Sequence, residues 1–94
     1  MPYMVVRHKV QNFARWKQVF DEHGGARKSG GSRGGQLFRS ADDPNEVMVL
    51  LECDSLENAR RFVNSEDLGK TKERAGVADR PDIYFVDEVD KPSA

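Results

Sequence analysis

Residues 46–53 of the chain read EVMVLLEC, and the five residues from Val47 to Leu51 are all apolar. A strand with one face in water alternates apolar and polar side chains, whereas an unbroken apolar run is typical of a strand buried on both faces. We therefore predict that residues 46–53 form a strand inside a sheet, with apolar layers above and below it.

The segments around this strand predict a βαββαβ order. Further strand patterns occupy residues 3–10, 36–39 and 82–89, and the turn formers of residues 41–45 separate the second strand from the third. Asn12 and Ser55 each precede a helical pattern, the first over residues 13–28 and the second from residue 56, so both are predicted N-caps. This is the order of ferredoxin-like α+β folds. We expect one domain over residues 1–94, with residues 90–94 as a flexible tail.

Glycines and apolar spacing refine the two predicted helices. The first should bend at Gly24-Gly25 and end at Gly30-Gly31, because glycine is unfavourable inside a helix. Residues 30–35 should then be a flexible connection, with Arg27, Lys28 and Arg33 in solvent. The second helix should break near residue 65 and end near Gly76. On the first helix the spacing places Phe13, Trp16, Phe20, His23 and Arg27 on one face. The predicted buried stripe of the second helix consists of Leu56, Ala59, Phe62 and Val63.

The strands carry more apolar residues than one copy of the chain can bury. Two helices cover one face of a four-stranded sheet, yet residues 3–6 and 83–86 are apolar at both parities, like residues 47–51. A monomer rarely exposes so large an apolar surface. We therefore predict a homodimer in which the same sheet face of a second subunit, related by a two-fold axis, covers the first.

The composition limits the class of partner and the compartment. The chain has 15 basic and 16 acidic residues, for a net charge of -1, so nothing favours nucleic acid or an anionic membrane as its partner. No segment has the length of a membrane span or the pattern of a signal peptide. The lone Cys53 cannot form an internal disulfide, which indicates a reducing, cytoplasmic location.

Five segments carry a resemblance to a known group of proteins. They are NFARWK at residues 12–17 with FDEH at 20–23, DDPNE at 42–46, FVNSEDL at 62–68, and AGV at 75–77 followed by Pro81. Through them the chain resembles the dimeric α+β barrel superfamily, in the group related to antibiotic-biosynthesis monooxygenases. The resemblance implies two sheets packed face to face between subunits and a cleft between sheet and helices in each. Members include cofactor-free oxygenases, haem-degrading enzymes, isomerases and proteins without known activity.

His23 and His8 are the candidate catalytic residues. Histidine titrates near neutral pH, so an imidazole beside an apolar cleft can remove a proton from a phenol or an activated carbon acid. Trp16, Phe20 and Tyr84 are the candidate ligand-binding residues, since their rings can stack on a flat compound. The alternative is that both histidines are hydrogen-bonded packing residues and that Trp16 belongs to the core.

No cofactor and no metal site is predicted. His8 and His23 have no cysteine or carboxylate at a recognised ligand spacing. Cys53 lacks an activating neighbour and is predicted to pack as a small apolar residue.

Two functions remain open on this sequence. One is a cofactor-independent monooxygenase or cyclase/isomerase that acts on an aromatic or polyketide-like small molecule. The other is a non-catalytic, ligand-binding or stress-associated homodimer. Convergence of His8, Trp16 and His23 on one cavity would favour the enzyme.

Overall fold

The computed structural model describes residues 2–65, Gly76 and residues 81–94. In chain order the elements are β1 (Pro2–Lys9), α1 (Phe13–Glu22), α2 (Gly24–Ser29), β2 (Ser32–Arg39), β3 (Glu46–Cys53), α3 (Leu56–Val63) and β4 (Asp82–Asp87). The predicted βαββαβ order is confirmed, with the first helix divided into two pieces. No helix in the described part of the chain has the length and apolar character of a membrane span.

The four strands form one antiparallel sheet in the order β2-β3-β1-β4. Met4 of β1 lies opposite Leu51 of β3 on one side and Phe85 of β4 on the other. This is the ferredoxin-like order, and it places β1 and β3 in the middle of the sheet. The helix-facing residues of both strands, Met4 and Leu51 among them, enter the core.

The core lies between the helices and one face of the sheet. Val47 is fully buried at its centre, and Trp16 and Val19 of α1 pack over the sheet. The other buried apolar residues are Met4, Val10, Val49, Leu51, Cys53 and Ala59.

Side-chain caps fix where α1 and α3 begin. The side-chain oxygen of Asn12 accepts a hydrogen bond from the backbone N–H of Arg15 at 3.0 Å, and that of Ser55 accepts one from Asn58 at 3.1 Å. Both predicted N-caps are confirmed. Asn45 adds a second link to α1, since its Oδ1 accepts a hydrogen bond from the N–H of Phe13 at 3.2 Å.

The helix predicted over residues 13–28 is not continuous. α1 ends at Glu22, His23 is the residue between the two helices, and α2 begins at Gly24. Two consecutive glycines are poor helix formers, so the chain restarts the helix here instead of only bending. The predicted end of the helix at Gly30-Gly31 is confirmed, because Gly30 is the C-cap of α2.

The second strand is longer than predicted. β2 begins at Ser32, whereas the sequence indicated a flexible connection up to residue 35. The pairing with β3 is irregular between Ser32 and Gly35, and Gly34 has a φ of 96°. A side chain on Gly35 would overlap the carbonyl oxygen of Leu50, so this glycine permits the close approach of β2 to β3.

Two predictions for the C-terminal half of the chain were wrong. Leu56, predicted to be buried, is exposed on α3, while Ala59 is buried and Val63 packs against the core. β4 ends at Asp87, two residues before the predicted end, and residues 88–94 have no regular secondary structure. The predicted continuation of the second helix toward Gly76 lies outside the described residues.

The face of the sheet that points away from the helices is also apolar. We call it the outer sheet face. Phe38, Met48 and Tyr84 lie on it and are 50%, 43% and 58% exposed. Its other apolar residues are Tyr3, Val5, Leu50 and Val86.

One cluster of charges interrupts the outer sheet face. Arg7 on β1 contacts Glu46 on β3, with Nε 3.1 Å from the carboxylate, and Asp82 on β4, with Nη1 3.3 Å away. These two contacts raise the pKa of Arg7, the contact with Glu46 more than that with Asp82.

Candidate functional site

A cleft of about 530 Å³ opens between the helices and the β2–β3 side of the sheet. We call it the α2–β2 cleft. Apolar side chains line its base, from Phe20 of α1, Leu37 of β2, and Val49 and Leu51 of β3. Polar residues and glycines line the rest, namely Lys17, Asp21, Gly24, Arg27, Lys28, Ser32, Arg33, Gly34, Gly35 and Gln36.

Three of the residues that line this cleft are glycines, which have no side chain to fill it. Gly24 opens α2, while Gly34 and Gly35 lie at the irregular start of β2. A Cβ atom on Gly34 would meet nothing within 4 Å, so the space above this residue is open. The glycine-rich start of β2 therefore forms a wall of the cleft.

A stack of three planar groups runs from the core to the cleft. The ring of Trp16 lies 4.9 Å from that of Phe20 with an interplanar angle of 23°, and the guanidinium carbon of Arg27 lies 3.6 Å from the Phe20 centroid. Both groups cannot share one face of the ring at these distances, so Phe20 lies between them. Trp16 is buried and does not line the cleft, but it supports the ring that does.

Arg27 is held in place by Phe20. Its Nη1 donates a hydrogen bond to the Phe20 carbonyl oxygen at 2.6 Å, in addition to the contact with the ring. Burial lowers the pKa of Arg27, and the nearby carboxylate of Asp21 acts in the opposite direction. A guanidinium starts from so high a pKa that it stays charged at neutral pH. The sequence predicted Arg27 in solvent, whereas it is half-buried.

The acidic residue of the cleft is already paired. The Nζ atom of Lys17 lies 2.6 Å and 2.7 Å from the two carboxylate oxygens of Asp21, one turn further along α1. Both side chains are partly exposed, so this ion pair contributes at most about 0.5 kcal/mol to stability.

His8 packs inside the protein and does not line the cleft. It is 6% exposed, and its ring meets that of Trp16 edge-on, with centroids 5.5 Å apart and an interplanar angle of 80°. An edge-to-face contact of this kind is a favourable packing arrangement.

His23 lies elsewhere, at the junction of α1 and α2. Its ring centroid is 5.9 Å from that of Phe62 on α3, and it does not line the cleft either. The structure therefore places the two histidines beside different aromatic rings and brings neither into the α2–β2 cleft. Their predicted catalytic role stays a prediction.

Of the three predicted ligand-binding residues, only Phe20 lines the cleft. Tyr84 lies opposite Val5 on the outer sheet face, so the sheet separates it from Phe20 and Trp16. Because residues 83–86 are apolar at both parities, the sequence could not show which face Tyr84 occupies.

Sequence reasoning missed most of the cleft lining. Leu37 and the glycines of β2 carry no chemical signal. The sequence predicts a short strand for Leu37 and a flexible connection for the glycines. Arg27 did carry a signal, since it follows Phe20 and His23 on the predicted stripe, where a cation is out of place unless it has a partner.

Cys53 is a buried packing residue. Its Sγ atom lies 3.6 Å from the Leu51 carbonyl oxygen as a weak donor, and burial is the main reason that its pKa is raised. A thiol with a raised pKa is less ionised at neutral pH and less nucleophilic. In residues 2–65, Gly76 and 81–94, no three or more histidine, cysteine or acidic side chains cluster as metal ligands would.

Comparison with known proteins finds similarity in structure. The chain superposes on an antibiotic biosynthesis monooxygenase-like protein of Bordetella bronchiseptica with a TM-score of 0.81, 17% identity, and coverage of 94% of this chain and 96% of the other. A similar protein of Caulobacter crescentus gives a TM-score of 0.75 at 22% identity, covering 95% and 90% of the two chains.

A third structure has a described activity. SnoaB of Streptomyces nogalater, a cofactor-independent oxygenase, matches with a TM-score of 0.79 at 14% identity, covering 99% of this chain and 97% of the other. No protein-family model matches the sequence, and a search of curated proteins finds no match. At these identities the likeness shows the fold, because one fold hosts many functions.

Proposed function

We propose that this protein, which has the α+β fold of the antibiotic biosynthesis monooxygenase-like proteins, is a homodimeric binding protein for a planar aromatic or polyketide-like small molecule. The α2–β2 cleft is the binding site. The observation that carries the proposal is a cleft of about 530 Å³ with an apolar base formed by Phe20, Leu37, Val49 and Leu51.

The size and lining of the cleft support a small-molecule ligand. Small-molecule sites typically measure roughly 300–1,000 Å³ and combine apolar walls with a few polar groups. The apolar base would contact a flat hydrocarbon skeleton, and the guanidinium of Arg27 offers a planar cation against which an aromatic ring can stack.

The outer sheet face supports the homodimer. Its rings and aliphatic side chains are exposed in the isolated chain, around the Arg7 charge cluster. A second copy would cover it with an equivalent surface, as a two-fold axis requires. The face lies across the sheet from the cleft, so dimerisation of this kind would leave the cleft accessible.

A second candidate is a cofactor-independent oxygenase. The likeness to SnoaB over nearly its whole length favours it. Such a reaction needs a substrate that gives electrons to O₂ directly, as a deprotonated phenol or enol does, and hence a general base. Asp21 in the cleft is paired with Lys17, and His8 and His23 lie outside the cleft. Binding is therefore the function that the geometry supports better.

The binding proposal is tested with a neutral, flat probe. Calorimetric titration with 2-hydroxymethylanthraquinone should show saturable binding to the wild type. Leu37→Trp should abolish it, because a larger side chain at that position fills the cleft. Phe38→Trp is the matched control, since the next residue of β2 lies on the opposite face and should leave binding unchanged. Circular dichroism confirms the fold of both variants. Equal binding by the two variants would contradict the proposed site.

The oxygenase candidate has its own measurement. Anthrone reacts with O₂ to give anthraquinone and water, so an oxygen electrode reports turnover without an added reductant. Protein-dependent oxygen uptake that falls roughly a hundredfold in His23→Gln or His8→Gln, at an unchanged melting temperature, would support general-base catalysis. Uptake no faster than in buffer would leave binding as the function.

A further inference from the structure

The α2–β2 cleft has an excess of positive charge. Of the described residues that line it, Lys17, Arg27, Lys28 and Arg33 are cationic and Asp21 is the only carboxylate. Asp21 is bound to Lys17, and in the described part of the chain the other three cations form no ion pair. The whole chain has a net charge of -1, so this excess is local.

Arg27 differs from the other two unpaired cations in its burial. Lys28 and Arg33 are exposed, and solvent screens their charge. Arg27 is half-buried, and its guanidinium is fixed by the Phe20 carbonyl oxygen at 2.6 Å and by the Phe20 ring. A fixed side chain loses little conformational entropy when it binds a ligand.

The contacts of Arg27 leave most of its donors unused. A guanidinium has five N–H groups, and among the described residues this one has a single hydrogen bond acceptor, the Phe20 carbonyl oxygen. Taking a cation out of water costs free energy unless charge or hydrogen bonds compensate it, which agrees with the lowered pKa of Arg27. An anion in the cleft would supply the missing compensation.

The missing side chain of Gly24 leaves space beside one nitrogen of Arg27. A Cβ atom on Gly24 would lie 3.5 Å from Nη2, so any larger side chain there would crowd that nitrogen. Gly24 itself lines the cleft. A ligand oxygen can therefore approach Nη2 from the side that glycine leaves empty.

From these observations we propose that the ligand of the α2–β2 cleft is an aromatic or polyketide-like carboxylate, and that Arg27 binds its carboxylate group. This rests on the function proposed above and narrows the class of ligand. The planar guanidinium matches the spacing of two carboxylate oxygens, which a lysine ammonium cannot do. Lys28 and Arg33 attract the anion toward the cleft without fixing its position.

A matched pair of probes tests the charge of the ligand. Anthraquinone-2-carboxylate and 2-hydroxymethylanthraquinone share a skeleton and differ in one group. We expect the wild type to bind the carboxylate about tenfold more tightly, the effect of a charge-assisted hydrogen bond in a partly solvated site. Arg27→Met should remove this preference, Arg27→Lys should keep part of it, and Lys28→Met should change it less than twofold, measured by calorimetry at 150 mM salt.

The outcomes separate this inference from the proposed function. Equal binding of the two anthraquinones by the wild type would overturn the carboxylate inference and leave the aromatic binding site standing. Benzoate is the third probe, because it carries the carboxylate without the large skeleton. Binding of benzoate that depends on Arg27, without binding of either anthraquinone, would keep the inference and refute a polyketide-like ligand. Binding of none of the three would overturn both.

Discussion

Phe20 joins the core to the cleft through its two faces, one against Trp16 and the other against Arg27. In a straight helix the Cα atoms of two residues seven positions apart are separated by about 10.5 Å along the axis. Arg27 spans this separation with its long side chain, across the break at His23. The position of the cleft cation therefore depends on the packing of α1, and a change at Trp16 should alter ligand affinity without contacting the ligand.

A substitution of His8 should lower the stability of the folded protein. We expect His8→Gln to lower the free energy of unfolding by about 1 kcal/mol, because the edge-to-face contact with Trp16 is lost in a buried position. Urea unfolding measures this change. Arg33→Gln, at an exposed position of β2, is the control and should unfold like the wild type. A variant that retains stability but loses turnover of anthrone would instead place His8 in catalysis.

Cys53 should be unreactive in the folded protein. The thiol is buried and its pKa is raised, so thiolate is scarce and hard to reach. Ellman's reagent at pH 8 should label the native protein slowly and the urea-unfolded protein at once. Rapid stoichiometric labelling without denaturant would contradict the buried position.

The same thiol gives a pH dependence with a definite sign. Because its pKa is higher in the folded state, the unfolded chain ionises first as pH rises. The resulting contribution of Cys53 to the free energy of unfolding is complete below the ordinary thiol pKa. It is lost as pH rises through the raised pKa of the folded state. The melting temperature of the wild type should therefore decrease more between pH 7 and pH 10 than that of Cys53→Ala. Parallel losses in the two proteins would refute this.

At the scale of elements, two glycine-rich segments decide the shape of the cleft. Gly24 and Gly25 restart the helix after His23, and Gly34 and Gly35 shape the irregular start of β2. Gly24 of the first segment and Gly34 and Gly35 of the second all line the cleft. Side chains at these positions would narrow the opening, so the glycines serve both the backbone and the site.

Gly35→Ala should break the β2–β3 pairing. Its Cβ would overlap the Leu50 carbonyl oxygen, which is backbone and cannot move aside without losing the register of β3. We expect a loss of roughly 2–4 kcal/mol in urea unfolding, in the range for severe backbone strain. Gly25→Ala is the matched control, since a Cβ there meets nothing within 4 Å and alanine favours the helix. An equally stable Gly35→Ala protein would show that β2 can shift.

The elements that could be predicted are those with a clear apolar pattern. The bounds of β3 agree with the prediction because its apolar run is unbroken, and α1 begins where Asn12 predicts. Gly34 and Gly35 misled the prediction of β2, since glycine marks loops as well as strand irregularities. The cleft depends on that segment, so its walls could not be predicted from the sequence. The sequence did predict Phe20 as a ligand-binding residue, and Phe20 lines the cleft.

At the scale of the molecule, the outer sheet face is the largest departure from an ordinary monomer surface. Leu50 and Val49 are neighbours on β3 that point to opposite faces, and the structure resolves an ambiguity that parity alone left open. Val49 is buried against the helices, and Leu50 lies with Val5 on the outer sheet face.

Light scattering coupled to gel filtration should give twice 10.6 kDa for the wild type at micromolar concentration. Leu50→Asp should give a folded protein of 10.6 kDa, because a carboxylate on the outer sheet face opposes burial by a second copy. Val49→Asp should fail to fold, since the same charge would enter the core. A monomeric wild type, or a Leu50→Asp protein that stays dimeric, would refute the face-to-face dimer.

The strand order also sets the route by which the chain reaches this structure after dilution from denaturant. Only β2 and β3 are neighbours both in sequence and in the sheet, whereas Tyr3 pairs with Glu52 on one side and with Val86 on the other. Closing such long loops is entropically costly, so the β2–β3 hairpin should form first and β4 should dock last, at a rate slower than that of helical proteins of this size. Until β4 docks, one edge of β1 and the outer sheet face are exposed to other chains. Refolding yield should therefore fall steeply with protein concentration, although we propose that the folded protein is a homodimer.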